Sequence, residues 1–259
     1  MSYLNELFSL EGNTAVIIGG GGVLAGSMAE GLARAGANIA VLDINIENAR
    51  QKAEQLSLFK VKTLPLQVDA SRKSAIEGAT QQIEKILGGV DILINAPGIN
   101  SATPFFEISE EEWHKILDVN LKSMFLACQV FGEKMIAQGN GGSIINISSA
   151  SSGPPLSKVF TYSISKSGVN NLTQFLAREW APYRVRVNAI APGFFPAEQN
   201  RKVLTKERIE QIFNHTPMKR FGDPQELIGA VLWLASDNAS SFVTGAIIRV
   251  DGGFSAMTI

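Results

Sequence analysis

The chain is short of what thiol-based or metal-based chemistry needs. Cys128 is its only cysteine, so no intrachain disulfide and no thiolate cluster can form. His114 and His215 are its only histidines, which excludes a multi-histidine metal site, and no metal is expected. The formal net charge is -1, so nothing in the charge balance favours nucleic acid or an anionic membrane as a partner. No apolar run is long enough to read as a membrane span. Residues 1–11 lack the basic start and continuous apolar core of a secretion signal. Fixed-period repeats and low-complexity stretches are also missing. A lone thiol and no signal sequence suit a reducing cytoplasm, which is the expected location.

What is present is ordinary for a folded chain. With 45% hydrophobic and 18% charged residues, 259 residues suffice for one large α/β domain with a sizeable core. No linker interrupts it, so residues 1–259 are read as one domain.

Thr14 to Ile18 is a β-branched apolar run and reads as a buried strand. It runs into Gly19-Gly20-Gly21-Gly22-Val23-Leu24-Ala25-Gly26, and a helical pattern through Met28 and Leu32 follows until Gly36. Strand, glycine loop and helix form the first half of a nucleotide-binding unit, because glycine admits a pyrophosphate and the helix start offers free N–H groups. A plain flexible turn is the competing explanation. Asn38 to Leu42 reads as a second strand, with Asp43 at its end, where a carboxylate accepts from ribose hydroxyls and repels a 2′-phosphate. NAD(H) is therefore favoured over NADP(H).

Further strands are expected at Val61–Val68, at Val90–Ile94, from Gly142 to Ile147, from Arg184 to Ile190, and from Ala246 to Val250. Pro65 marks the third as an edge strand. Helices are expected between them, including one from Ser71 to Leu87, one running from Ser109 towards Met135, and one from Pro224 to Ala235. Regular alternation implies a doubly wound, parallel, seven-stranded sheet. Residues 194–223 are the least regular stretch and read as an inserted substrate loop with a short helix from Thr205 to Phe213.

The chemistry-bearing stretch is Tyr162-Ser163-Ile164-Ser165-Lys166. The spacing stacks phenol and ammonium on one helical face. A free tyrosine titrates near pH ~10, and a fixed cation lowers that value. Such a phenol exchanges a proton with a carbonyl or alcohol oxygen. Alone, the pair fits a surface tyrosine and a solvated lysine better than a site. Ser149, thirteen residues upstream, and the glycine loop shift the balance towards a site. Asn120 is a polar residue on an otherwise apolar helix. It must either bond backbone at a kink or hold water for a site.

Together these residues resemble the short-chain dehydrogenase/reductase family over nearly the whole chain. The match rests on the glycine loop, Asp43, Asp69, Asn95-Ala96-Pro97-Gly98, Asn120, Ser149, Tyr162-x-x-x-Lys166 and Pro192-Gly193, in order. By that resemblance Tyr162 is the general acid/base. Lys166 lowers its pKa and binds the nicotinamide ribose. Ser149 bonds the reacting oxygen, and Asn120 holds a relay water. The cofactor lies against Gly19, Gly22, Val23, Leu24, Asp43, Asp69, Ala70, Asn95, Ala96, Pro192 and Gly193. Ser148 competes with Ser149, but the latter has the family's offset to the tyrosine. The sequence departs from the family pattern at Ile18, Val23 and Ala25 in the loop, at Ala96-Pro97, and at Ala197.

The four-glycine loop, Pro192-Gly193-Phe194-Phe195, Glu198-Gln199-Asn200-Arg201 and the ending from Val250 to Ala256 resemble a narrower group, the D-mannonate oxidoreductases or fructuronate reductases. That implies a sugar-acid substrate, with Ser149, Tyr162, Gln199, Asn200 and Arg201 binding it and Lys158 as a further cation. It also implies a homotetramer. Gluconate 5-dehydrogenase and 3-oxoacyl reductase activities remain open, as does a dinucleotide-binding regulator without turnover.

Overall fold

The computed structural model describes residues 2–196 and 205–257. Seven strands form one sheet: β1 (Thr14–Ile18), β2 (Asn38–Asp43), β3 (Thr63–Gln67), β4 (Ile92–Asn95), β5 (Gly142–Ile147), β6 (Val185–Pro192) and β7 (Ile247–Val250). All pairings are parallel, in the order β3-β2-β1-β4-β5-β6-β7. The expected doubly wound sheet is observed, with Pro65 on its edge strand.

The uninterrupted apolar run of β1 follows from burial on both faces. Ala15 and Ile17 join a core with Met28, Leu32 and Ile39, while Val16 and Ile18 join a second core with Ile76, Phe131 and Ile144. The described helices are α1 (Tyr3–Phe8), α2 (Val23–Arg34), α3 (Ile46–Ser57), α4 (Lys73–Leu87), α5 (Glu110–Leu117), α6 (Ser123–Gln138), α7 (Phe160–Trp180), α8 (Lys206–His215), α9 (Ile228–Ala235) and α10 (Asp237–Ser240); α2, α3 and α9 pack into the first core, and α4, α6 and α7 into the second.

Three helical elements differ from the sequence reading. The segment from Ser109 is not one helix: a π-turn over Asp118–Lys122 separates α5 from α6. Its wider turn carries Asn120, which is fully buried. Helix α4 begins at Lys73 because the Ser71 N–H and hydroxyl both donate to Asp69 Oδ1 in the preceding turn. Pro224–Leu227 is a 3₁₀ turn closed by a capping box at Asp223, and α9 follows it. None of the described helices is long and apolar enough to cross a membrane.

Strand order reverses between β1 and β4. Connections after these two strands leave in opposite directions, which opens a crevice at their C-terminal ends.

Candidate active site

A cleft of about 750 Å³ lies at that crevice, walled by the segments that follow β1, β4, β5 and β6 and by α7 and α8. The glycine loop is built for close approach. Gly19 has φ +72°, and a Cβ there would sit 3.2 Å from the Ala96 carbonyl oxygen. A side chain there would crowd the loop after β4 and strain a left-handed backbone, so glycine suits this close approach. At Gly21 a Cβ would lie 2.5 Å from Asn48 Cβ and 2.9 Å from Asp43 Oδ2. The Gly21 N–H instead donates to that carboxylate at 3.0 Å. Gly22 caps α2 with no side-chain hydrogen bond, and it lines the cleft with Val23, Leu24 and Ala25. The first N–H groups of α2 and the positive end of its dipole are thus left for an anion.

Tyr162, Ser149 and Lys166 line the same cleft, with Pro192 and Gly193 opposite. Sequence spacing placed tyrosine and lysine one turn apart; α7 does so, with the Lys166 ammonium 5.7 Å from the Tyr162 ring centre. Lys166 Nζ donates to the Ile147 carbonyl at 2.8 Å, which ties α7 to the end of β5. A Cβ at Gly98 would lie 3.6 Å from Lys166 Nζ and 3.9 Å from Asn120 Oδ1, so the β4 loop closes over both. Burial lowers the Lys166 pKa to about 7. Burial also pushes the Tyr162 phenol above its ordinary value, and a hydrogen bond from Ser149 offsets part of the rise. This corrects the expectation that the ammonium lowers the phenol: desolvation dominates.

Ser149 is oriented by a neighbour that sequence reasoning missed. The Ser151 N–H and hydroxyl both donate to Ser149 Oγ, at 3.2 and 3.1 Å. Those two bonds fill the acceptor sites of the oxygen and leave its own proton for an acceptor in the cleft. Ser148 is occupied elsewhere, donating to the Lys166 carbonyl and Asn170 Oδ1.

Asn120 binds backbone and stands at the site. Its Oδ1 accepts the Ile99 N–H at 2.8 Å, and its Nδ2 donates to the Ile99 carbonyl and to Ser165 Oγ. Ser165 in turn donates to the Tyr162 carbonyl at 2.7 Å. The Asn95 side chain is committed to the interior, donating to Cys128 Sγ and Asn146 Oδ1, while Ala96 faces the cleft. Asp69 and Ala70 follow β3, beyond the cleft walls, with the Asp69 carboxylate closing its own turn. Lys158 lines the cleft in a left-handed conformation, φ +70°. Gln199, Asn200 and Arg201 lie outside the described residues. No cluster able to hold a metal occurs among the described residues.

This arrangement can be set beside known proteins. The family model described as enoyl-(acyl carrier protein) reductase, one of the short-chain dehydrogenase models, matches residues 22–255. The chain belongs to the short-chain dehydrogenase/reductase family. It is an oxidoreductase, and the alternative of a dinucleotide-binding regulator without turnover falls. A 2-dehydro-3-deoxy-D-gluconate 5-dehydrogenase of Escherichia coli (strain K12) is 38% identical to this dehydrogenase/reductase over 250 residues, covering 96% of this chain and 98% of the relative. The crystal structure of a protein provisionally named D-mannonate oxidoreductase, from Haemophilus influenza with bound NAD, superposes with TM-score 0.93 at 35% identity over 98% of this chain and 99% of that one. A gluconate 5-dehydrogenase from Burkholderia cenocepacia J2315, in complex with NADP and tartrate, gives TM-score 0.93 at 33% identity over 99% and 100%.

Family membership brings a nicotinamide dinucleotide as cofactor, and the local geometry fits one. Gly19 and Gly22 line the cleft without side chains, and the uncapped start of α2 beside them suits a pyrophosphate. The departures at Val23 and Ala25 both fall in the first turn of α2, where the two side chains line the cleft.

Proposed function

We propose that this dehydrogenase/reductase interconverts a ketone and a secondary alcohol on a sugar acid, with D-fructuronate to D-mannonate as the favoured reaction. The observation that carries the reading is the convergence of Ser149, Tyr162 and Lys166 in one cleft with the glycine loop, the Lys166 ammonium 5.7 Å from the Tyr162 ring centre. Relatives named for gluconate and mannonate chemistry support the substrate class, and one of them holds tartrate, a hydroxy acid.

A bound nicotinamide supplies or accepts the hydride. Tyr162 gives its hydroxyl proton to the carbonyl oxygen as the carbon is reduced, and in the reverse direction it takes that proton back. The raised pKa suits the reductive role, since it keeps the phenol protonated at neutral pH. Ser149 hydrogen-bonds the same oxygen. Lys166 steadies the phenolate that remains and would hold the ribose hydroxyls of a bound cofactor. Asn120, fixed by Ile99, holds the water that returns the proton.

NADH is the favoured reductant. Asp43 would face a 2′-phosphate, and Arg50, the first cation after it in sequence, is paired with Glu47. The enzyme works in the cytoplasm as a homotetramer. The α6 and α7 faces support self-association, with Phe125 and Phe175 left 43% and 53% exposed. Sedimentation of the purified protein tests that assembly.

The activity test is a panel of keto sugar acids and 3-oxoacyl thioesters, each with NADH and with NADPH. Turnover of a keto sugar acid with NADH is the expected result. Turnover of only the thioesters would refute the substrate class and favour a 3-oxoacyl reductase, while 5-ketogluconate as best substrate would favour a gluconate 5-dehydrogenase.

A further inference from the structure

We propose that Arg208, in the first turn of α8, recognises the substrate carboxylate. This inference rests on the sugar-acid reading above and names the group that would enforce it.

The charge of the cleft points there. Its described lining contains no aspartate or glutamate and three basic side chains: Lys158, Lys166 and Arg208. Lys166 is 3% exposed and bonded to the Ile147 carbonyl beside Tyr162, so it belongs to the reacting end. Lys158 is exposed on a loop, a hydrated point charge on a flexible stem. Arg208 is half-buried and makes no ion pair with a carboxylate among the described residues.

The placement of Arg208 is fixed from three directions. Its backbone N–H donates to the Thr205 side chain, the N-cap of α8, at 3.2 Å. One turn further, Ile212 lines the same cleft at 4% exposure and anchors that face of the helix. The Nη1 atom donates to Ser157 Oγ and Gln211 Oε1, both at 3.3 Å. Ser157 stands on the loop between Ser149 and Tyr162, so the guanidinium bridges α8 to the segment joining two catalytic residues. Nη2 and Nε donate to no side chain or carbonyl among the described residues, and a planar fork suits a bidentate carboxylate. Anchoring that carboxylate at Arg208, with the keto oxygen at Ser149 and Tyr162, holds the substrate at two points and decides which carbon is reduced.

The test compares wild type, Arg208→Met and Arg208→Lys on a keto sugar acid and on its neutral carboxamide. Arg208→Met is expected to raise KM for the acid by about 10- to 100-fold, with a loss on the carboxamide below about 3-fold. Arg208→Lys recovers part of the loss, because it keeps the charge without the fork. NADH affinity and the melting temperature of the NADH-bound enzyme stay near wild type. Equal losses on acid and carboxamide would overturn the assignment in favour of a packing role. A selective loss of NADH affinity would overturn it in favour of a cofactor phosphate contact. If wild type reduces no sugar acid, the sugar-acid reading fails and this one with it. If wild type reduces the acid and Arg208→Met leaves its KM unchanged, only the Arg208 assignment fails.

Discussion

Lys166 should destabilise the enzyme that it serves. Burial takes its ammonium from an ordinary pKa of 10.5 to about 7. At about 1.4 kcal/mol per pH unit, holding that charge inside the folded chain costs ~5 kcal/mol. The sign follows from which state holds the proton. Below pH 7 both folded and unfolded chains are protonated, and the whole cost is present. Between pH 7 and 10.5 the unfolded chain keeps its proton while the folded chain sheds it, so stability climbs with pH by up to about 1.4 kcal/mol per unit. Lys166→Met removes the ammonium and leaves the Ile147 carbonyl without its donor, a loss of ~1–3 kcal/mol. The net expectation is a variant about 2–4 kcal/mol more stable at pH 6.5, with the gap closing towards pH 9. Urea midpoints of the cofactor-free proteins, at one protein concentration and several pH values, measure this. Cys128 and Tyr162, both raised by burial, bend the two profiles alike and cancel in the difference. Turnover should fall in the same variant, since stability and activity pull apart at a buried charge. Parallel pH profiles, or a variant less stable than wild type throughout, would refute the reasoning.

Three further outcomes follow from the geometry. Replacing Asp43 by alanine removes the carboxylate that would face a 2′-phosphate. The ratio of kcat/KM for NADH over NADPH should drop by about tenfold or more, as steady-state kinetics with both cofactors would show. Cys128 is 1% exposed, and burial pushes its thiol up to about 12, so a thiol reagent at pH 8 should label the folded protein far more slowly than the urea-unfolded one. Because burial raises the phenol, reductive kcat/KM should show no loss assignable to Tyr162 until the pH passes the ordinary tyrosine value of ~10. A Tyr162-dependent decline centred near pH 8 would mean that a cation lowers the phenol after all.

The scaffold was legible because its signals are periodic and local. The β1 run, buried on both faces, and the glycines that follow could only be a strand entering a tight turn. Pro65 announced an edge. Tyr162 and Lys166 share a face at a spacing that any helix dictates. Other features depend on contacts that no local pattern carries. The π-turn around Asn120 adds nothing to a periodic reading, and the partner of its side chain, the Ile99 backbone, lies twenty-one residues away. The phenol's pKa was expected to fall because a neighbouring charge is visible in sequence, whereas burial is not. Ser151 lay hidden in a run of serines whose orientations only the fold separates. Arg208 sits on a helix that also carries Lys206, Glu207 and Glu210, where nothing local marks one charge as facing the cleft.

The account rests on Tyr162 as the proton donor, and single-turnover hydride transfer in Tyr162→Phe tests it most directly. The rate at which bound NADH is consumed by a keto sugar acid should fall by about 10²- to 10⁴-fold, with NADH affinity within about 3-fold of wild type. A variant that transfers hydride at the wild-type rate would contradict the account.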